Sequence, residues 1–406
     1  MRELVSLDDA VVLITDHTRI VGEEEIALLS ALGRVISKDI FAPGNFPPFD
    51  RSPLDGYAVR ATDIKEAKPG KPVELEVSQE IPAGNYSEIE VVRNQAAKIL
   101  TGAPIPPGAD VVIRFEDVKK KKGPRIEVFN PMPAYSNYCF AGEDIQEGEM
   151  VLAAGSRVDP AVITLFAALG FYFAPVYRIP QITIISTGDE LVDINEQLAS
   201  GKIYNSNSYS IAADVQLTGA RPVCSGIVED NPELIANKIE AALEISDMVI
   251  TTGGISVGDY DVVKEALTIM GADILFHRVN MRPGSPALGA VKNGKIIISL
   301  SGNPAAAFVS YHLIAKPVIL KLMGMTKWEF ISSTAVLQED YPKASKPRRF
   351  LRGRAFLDVG ELKVRLTGKQ NPGIIRSMLN CNCLIDIPAN SPGLKAGDNV
   401  RVILLH

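Results

Sequence analysis

The segment from about residue 180 to 326 sets the tightest limit on what this chain can fold into, because short apolar runs alternate there with stretches carrying helix start and stop signals. The runs occupy 182–185, 223–228, 248–250, 274–276 and 296–300. Between them lie a helical stretch at 207–217 closing near Gly219, a capped start at Asp230-Asn231-Pro232, and a stretch at 261–270 stopped by Gly271. Strands alternating with helices of this length argue for a parallel sheet covered on both faces. In such sheets, loops after the carboxyl ends of the strands line the ligand crevice, so the chemistry is expected there.

Four loops on that edge are unusual: "STGDE" (186–190), "TTGGISVGD" (251–259), "MRPGSP" (281–286) and "SGNPAAA" (301–307). Their glycines and small hydroxyls let backbone N–H groups approach an anion, and the helices that follow offer positive ends. Thr187, Gly188, Gly253, Gly254, Ser256, Gly258, Gly302 and Asn303 are therefore candidate substrate-binding residues. For one such loop, plain turn chemistry is favoured by about two to one; four on one edge outweigh it. Neither GxxxxGK[ST] nor GxGxxG occurs in them, which disfavours an ordinary P-loop ATPase or dinucleotide dehydrogenase. Asp189, Glu190 and Asp259 share the loops. Carboxylates beside phosphates make electrostatic sense when a cation lies between them, and Mg²⁺ held by one or two carboxylates plus substrate oxygens is the usual arrangement. Helix capping is the competing reading for Asp189 and Asp259. Arg282 could hold an anion with its planar fork, the competing reading being a surface arginine.

At 406 residues and 46% hydrophobic content, the chain exceeds the roughly 250–300 residues at which single cores stop growing. Ser6 followed by Asp9 resembles a capping box, and 28–32 ending at Gly33 reads as a second short helix. From about 51 to 140 the pattern turns to period-two runs such as 73–77 and 125–128, broken by turn sequences. "VDPAVITLFAALGF" returns to helix, with Asp159 as cap, Pro160 first and Gly170 at the stop. After Trp328 alternation resumes. The expectation is an α/β multidomain chain. Residues 1–50 plus 141–178 form a discontinuous helical and extended N-terminal domain, 51–140 a β-rich insert, 179–327 a doubly wound, mostly parallel sheet domain, and 328–406 a small C-terminal β-domain.

Net charge is −6 with scattered Lys and Arg, and the one basic run, 119–122, precedes Gly123-Pro124 and reads as a solvated hairpin tip, so nucleic acid is not expected as a partner. "MRELVSLDDAVVLI" lacks the features of a signal peptide, and the sequence reading finds no apolar stretch of the ~18 residues that span a bilayer; a cytoplasmic protein without membrane contact is expected. The pair Cys381-Asn-Cys383 has no second pair at zinc-site spacing and reads as ordinary strand residues, and His17, His277, His312 and His406 show no ligand spacing.

In "FPPFDRSPLDGYAVR" (46–60) the prolines and the Asp-Gly pair make a rigid approach to a strand at 57–59, which leaves Asp55 unexplained. That stretch, with "ILTGAPIPPGADVVI", "AGEDIQEGE", "ISTGDEL", "KIYNSNSY", "TTGGISVGDYD", "MRPGSPA" and "LSGNPAAAF", falls in the order seen in the molybdopterin molybdenumtransferase family, MoeA or the gephyrin E-domain, which the chain resembles from about residue 3 to its C-terminus. The resemblance implies hydrolysis of adenylylated molybdopterin and insertion of molybdate into its dithiolene, with Mg²⁺ assisting and AMP released. It further implies a homodimer in which the β-insert of one subunit closes over the α/β domain of the other, presenting Asp55 to the partner's pocket. Molybdopterin adenylyltransferase and cofactor-receiving apoenzymes are the further partners it suggests.

Carried over position by position, the resemblance gives functional roles to Asp55, Thr101 of "TGAP", Asp144 of "GEDI", Glu190 of "TGDE", Asp230 and Asp259 of "SVGD". Ser377 matches a C-terminal serine of the molybdate site, joined by Arg349 or Arg352. Family members typically show Lys-Pro-Gly-Lys-Pro or Lys-Pro-Gly-Leu-Pro where this chain has Arg282-Pro283-Gly284-Ser285-Pro286, and often "PGNPVS" where it has "SGNPAA". Arg282 keeps the charge with a different donor geometry, which leaves molybdate and tungstate both open as the oxyanion. Two rival readings are an adenylyltransferase, which needs only the central domain, and a scaffold that binds pterin without turnover.

Overall fold

The computed structural model describes residues 2–255 and 261–405, and the chain divides into two compact units. Met1–Lys38, Gly155–Asp159 and Phe173–His406 make the first, Asp39–Ala154 and Pro160–Tyr172 the second.

The first unit contains a six-stranded sheet of β1 (Gln181–Thr187), β2 (Arg221–Val228), β3 (Met248–Thr252), β4 (Asp273–Arg278), β5 (Pro286–Lys292) and β6 (Lys295–Leu300), in the order β2-β1-β3-β6-β5-β4. The first four of that order are parallel, and Ile184, Ile250 and Ile298 stand in register across three of them. Side chains alternate between faces with the strand period of two. Ile182, Ile184, Ile250 and Ile298 pack with Leu7, Ile14, Ile211 and Ile319, whereas Ile185, Val249 and Ile297 pack on the opposite face with Ile235, Ile239, Val263 and Leu267. Both faces are dry, as a doubly wound sheet requires.

The sheet is mostly parallel, as expected, and turns antiparallel at one end. Strand β5, which the apolar-run reading missed, pairs antiparallel with both β4 and β6. Asn293 (φ 53°) and Gly294 (φ 75°) lie between the paired Lys292 and Lys295, the signature of a two-residue hairpin turn. "MRPGSP" therefore joins two antiparallel strands rather than a strand and a helix. It remains on the carboxyl edge, because Ala287 pairs with Leu300 at the end of β6.

The helices begin where side chains can satisfy their orphan N–H groups. Ser6 caps α1 (Leu7–Asp16), accepting the Asp9 N–H at 3.0 Å. Asn205 caps α2 (Ser206–Thr218), which ends at Gly219 in the left-handed region (φ 106°). Asn231 caps α3 (Pro232–Ile245), and Asp261 caps α4 (Val262–Ile269). Asp189 caps no helix, and residues 28–32 form only a 3-10 turn at Leu28–Ala31. The core run comprises α5 (Pro304–Ser310), a π-turn at Tyr311–Ala315 and α6 (Lys316–Leu322). Pro317 explains the wide turn, since it lacks the N–H and its ring crowds the carbonyl four residues back. Contrary to the sequence expectation, this 19-residue run is long and apolar enough to cross a bilayer, but 83% of its apolar window is buried inside the protein. Its composition is that of a core helix.

The C-terminal strands Ser332–Leu337, Arg348–Asp358, Glu361–Leu366, Cys383–Ile387 and Asn399–Leu404 close into a ring, because Arg348–Asp358 pairs with both Glu361–Leu366 and Cys383–Ile387. Met281–Arg282 adds to the edge, in parallel with Arg348 and Arg349. Pro372 O accepts the Ala305 N–H at 3.0 Å, which fastens this barrel to the start of α5.

The second unit is built on a sheet in the order Val111–Arg114, Gly56–Val59, Gln95–Ile99, Val73–Ile81, Arg125–Val128, Val118–Lys120, with the helix Pro160–Ala168. Lys119–122 does lie at a hairpin tip, where Lys121 pairs with Glu74 and Glu127.

Candidate active site

Glycine brings the ends of β1 and β3 closer than side chains would allow. At Gly253 (φ +91°) a Cβ would stand 2.1 Å from Thr187 O, and at Gly254 (φ +64°) one would stand 2.6 Å from Thr187 Oγ1. Beside them is a cavity of about 50 Å³ lined by Thr187, Glu190, Asn207, Gly253, Gly302 and Pro304, among others. Asn207 Nδ2 donates to Gly302 O at 2.8 Å, while Asn207 Oδ1 and Thr187 Oγ1 are buried without a partner. A buried unsatisfied polar atom costs about 1–3 kcal/mol, so these two atoms favour a ligand with hydrogen-bonding groups of its own. Asn303 starts α5 at the same edge, its N–H donating to Ser301 Oγ at 3.2 Å.

Three acids gather next to this cavity. A Cβ at Gly188 would lie 2.6 Å from Glu190 Oε2, so the Glu190 carboxylate folds back over the glycine. Asp189 Oδ1 accepts the Asp230 N–H at 3.1 Å, and Lys202 bonds to Asp189 O. Desolvation raises the pKa of Asp230, and the charges of Asp189 and Glu190 raise it further. Ser256, Gly258 and Asp259 lie outside the described residues. Among the described residues no three acidic, His or Cys side chains converge as a metal cage. The concentrated negative charge nonetheless fits a cation whose shell is completed by substrate oxygens, which is how Mg²⁺ is usually held.

A larger cavity, about 290 Å³, opens between the 281–286 segment and the barrel, with Arg282, Ser285, Lys343, Arg349, Gln370 and Asn371 in its wall. Among the described residues no Asp or Glu lines it, and Arg282, Lys343 and Arg349 form no ion pair. Arg349 is oriented by Ser345 Oγ (3.0 Å) and Tyr341 Oη (3.3 Å). At Gly284 (φ +88°) a Cβ would meet Ser310 Oγ at 2.1 Å, so only glycine lets this segment lie against α5.

The loop that carries Gln370 and Asn371 supplies carbonyls to a buried cation. Arg352 is 0% exposed. Its Nε donates to Ser377 Oγ at 2.8 Å and its Nη2 to Asn371 O at 3.3 Å, but Nη1 is buried without a partner. Burial lowers the pKa of this guanidinium. Of the two arginines the sequence left open, Arg352 is the one joined to Ser377, while Arg349 stands in the cavity wall. Ser377 gives its own proton to Ile374 O at 2.6 Å, so it orients Arg352 as an acceptor. Tyr341, Lys343, Gln370 and Asn371 escaped the sequence reading; the turn residues of "KQNPG" were the one available signal.

In the second unit, Asp55 Oδ1 accepts both the Thr101 N–H (2.7 Å) and the Thr101 Oγ1–H (2.8 Å), which hold its pKa below the usual value. Gly56 must be glycine, since a Cβ there would sit 2.2 Å from Ile113 O. Asp144 is exposed, and its N–H donates to Phe46 O at 3.2 Å.

Residues 5–170 match the family described as MoeA N-terminal region (domain I and II), 183–321 the probable molybdopterin binding domain, and 334–405 the MoeA C-terminal region (domain IV). The chain is 37% identical to a molybdopterin molybdenumtransferase of Bacillus subtilis (strain 168), over 100% of this chain and 95% of that one. It is 36% identical to a protein of that name from Staphylococcus epidermidis, over 99% and 96%. A crystal structure of the molybdopterin biosynthesis moeA protein from Pyrococcus horikoshii OT3 superposes with a TM-score of 0.85 at 32% identity, covering 99% of this chain and 100% of that one.

Proposed function

Because the chain belongs to the MoeA family and is a transferase of molybdenum cofactor biosynthesis, we propose that it takes adenylylated molybdopterin and molybdate, inserts the metal into the dithiolene and releases AMP. Arg352 is the observation that carries this reading: a fully buried guanidinium with a free donor and no carboxylate partner among the described residues. An unpaired buried charge is costly, and a tetrahedral dianion removes that cost. Arg282, Lys343 and Arg349, with Ser285 beside them, line a cavity that shares Gln370 and Asn371 with the surroundings of Arg352, and their charge attracts an anion.

The backbone at Gly188, Gly253, Gly254 and Gly302 holds the phosphoanhydride, with Thr187, Asn207 and Asn303 as polar contacts. Mg²⁺ would sit at Asp189 and Glu190, with Asp259 as a third candidate; bound there, it neutralises charge on the phosphate oxygens. Asp230, whose N–H is held by Asp189, stands beside these acids as a candidate to orient the attacking water. The same reading makes the enzyme a cytoplasmic homodimer of four-domain subunits, with Asp55, Thr101 and Asp144 of one subunit serving the α/β pocket of the other. Molybdopterin adenylyltransferase and the cofactor-receiving apoenzymes complete its proposed partners.

The test is AMP release from adenylylated molybdopterin with Mg²⁺ and either molybdate or tungstate, for the natural protein, Asp55→Ala and Arg352→Met. Oxyanion-dependent release, lost in both variants, supports the reading, and the preferred oxyanion shows what Arg282 and Ser285 select. Tight pterin binding without release under either oxyanion overturns it in favour of a scaffold.

A further inference from the structure

At Arg352 one side of the β-ladder has ended. The strand Arg348–Asp358 still pairs there with Leu384, but its pairing with Glu361–Leu366 begins only at Gly353 opposite Leu366. Two side chains take the place of the missing strand. Gln370 Oε1 accepts the Arg352 N–H at 2.8 Å, and Gln370 Nε2 donates to Arg352 O at 3.1 Å and to Gly368 O at 2.9 Å. Thr367 adds its N–H to Arg352 O at 3.1 Å, and its Oγ1 reaches both Arg352 O (3.0 Å) and Ser377 O. The single Thr367 hydroxyl proton is thus placed between the carbonyls of the two residues that meet as Arg352 Nε and Ser377 Oγ.

We propose that Thr367 and Gln370 are positioning residues for the oxyanion: they fix Arg352 and Ser377 relative to one another so that Nη1 is left free for a tetrahedral dianion such as molybdate. The proposal rests on the oxyanion reading of Arg352 given above. A long side chain loses rotamer freedom when it binds, so holding its main chain and its Nε partner in advance removes part of that cost. Side chains that orient ligating groups in this way typically change affinity by about 10–100-fold when removed.

The experiment measures sodium molybdate binding by calorimetry, together with KM for molybdate, KM for the pterin substrate and thermal melting. The proteins are the natural protein, Thr367→Val, Thr367→Ser, Gln370→Leu, Gln370→Glu and Arg352→Met. Thr367→Val and Gln370→Leu are expected to weaken molybdate by about 10–100-fold with the pterin KM unchanged, and Thr367→Ser to restore it. Gln370→Glu keeps the acceptor for the Arg352 N–H but loses the donor, so it weakens molybdate even where the fold survives. Unchanged molybdate affinity in Thr367→Val and Gln370→Glu, with Arg352→Met defective, overturns the proposal and leaves the oxyanion reading standing. Full molybdate affinity in Arg352→Met overturns that reading itself. Equal increases in both KM values would show a merely structural role and also overturn the proposal.

Discussion

In the core of the first unit, Asp214 Oδ1 stands 3.7 Å from His312 Nε2, with side chains only 10% and 3% exposed. Lys316, one helical turn beyond His312, also acts on this carboxyl and donates to Leu405 O at 2.6 Å. Burial outweighs the lysine and pushes Asp214 up to about 7 from its ordinary 3.8. The unfolded chain therefore releases this proton first, so between about pH 4 and 7 the folded state binds more protons and stability falls as pH rises, by up to about 1.4 kcal/mol per pH unit. Asp214→Asn removes the titration. Melting temperatures from pH 5 to 8 should show a shallower decline in that variant than in the natural protein, and parallel curves would contradict the assignment.

Thr101 acts on Asp55 by two hydrogen bonds, of which a valine keeps only the one from the main chain. Thr101→Val should raise the Asp55 pKa and move the acid limb of the kcat/KM profile to higher pH, whatever happens to the neutral plateau. Asp55→Asn should lower that plateau by about 10²–10⁴-fold. An unmoved acid limb in Thr101→Val would show that another group controls it.

Gly253→Ala places a Cβ against Thr187 O in a left-handed conformation that costs a side chain about 1–3 kcal/mol. Turnover should collapse while most of the sheet remains folded. Near-normal AMP release in this variant would mean that the close approach of β1 and β3 is not needed for the phosphoanhydride.

Lys343→Gln and Arg349→Gln each remove a cation from the larger cavity. Each should raise KM for molybdate by about tenfold, and added salt should shrink the difference as the field is screened. A salt-independent effect would point to packing rather than charge.

The glycine loops, most helix caps and the doubly wound sheet were readable because each depends on a few neighbouring residues. Strand β5 was not: it reads "PALGAVK", and Gly289 interrupts its apolar run where a Cβ would strike Phe276 at 2.5 Å. Asn293-Gly294 was the overlooked sign of its hairpin. The meeting of Ser377 with an arginine was anticipated by resemblance, but the clamp of Thr367 and Gln370 on Arg352 was not. It forms only when barrel closure brings the loop after Glu361–Leu366 beside Arg348–Asp358, and no local periodicity reports that.

Helix α1 sits in one hydrophobic cluster with β1, β6 and α6, so Leu7 and Ile14 meet partners such as Ile298 and Ile319 from far along the chain. At a translation rate of about 5–20 residues per second, roughly 300 residues pass in about 15–60 s before those partners emerge. Until then the newborn helix lacks these late partners for its greasy stripe, while the whole second unit is being synthesised. A holding chaperone is expected to help the chain from its first hydrophobic segment onward, and a shortage of such help should lower its yield before it alters its activity.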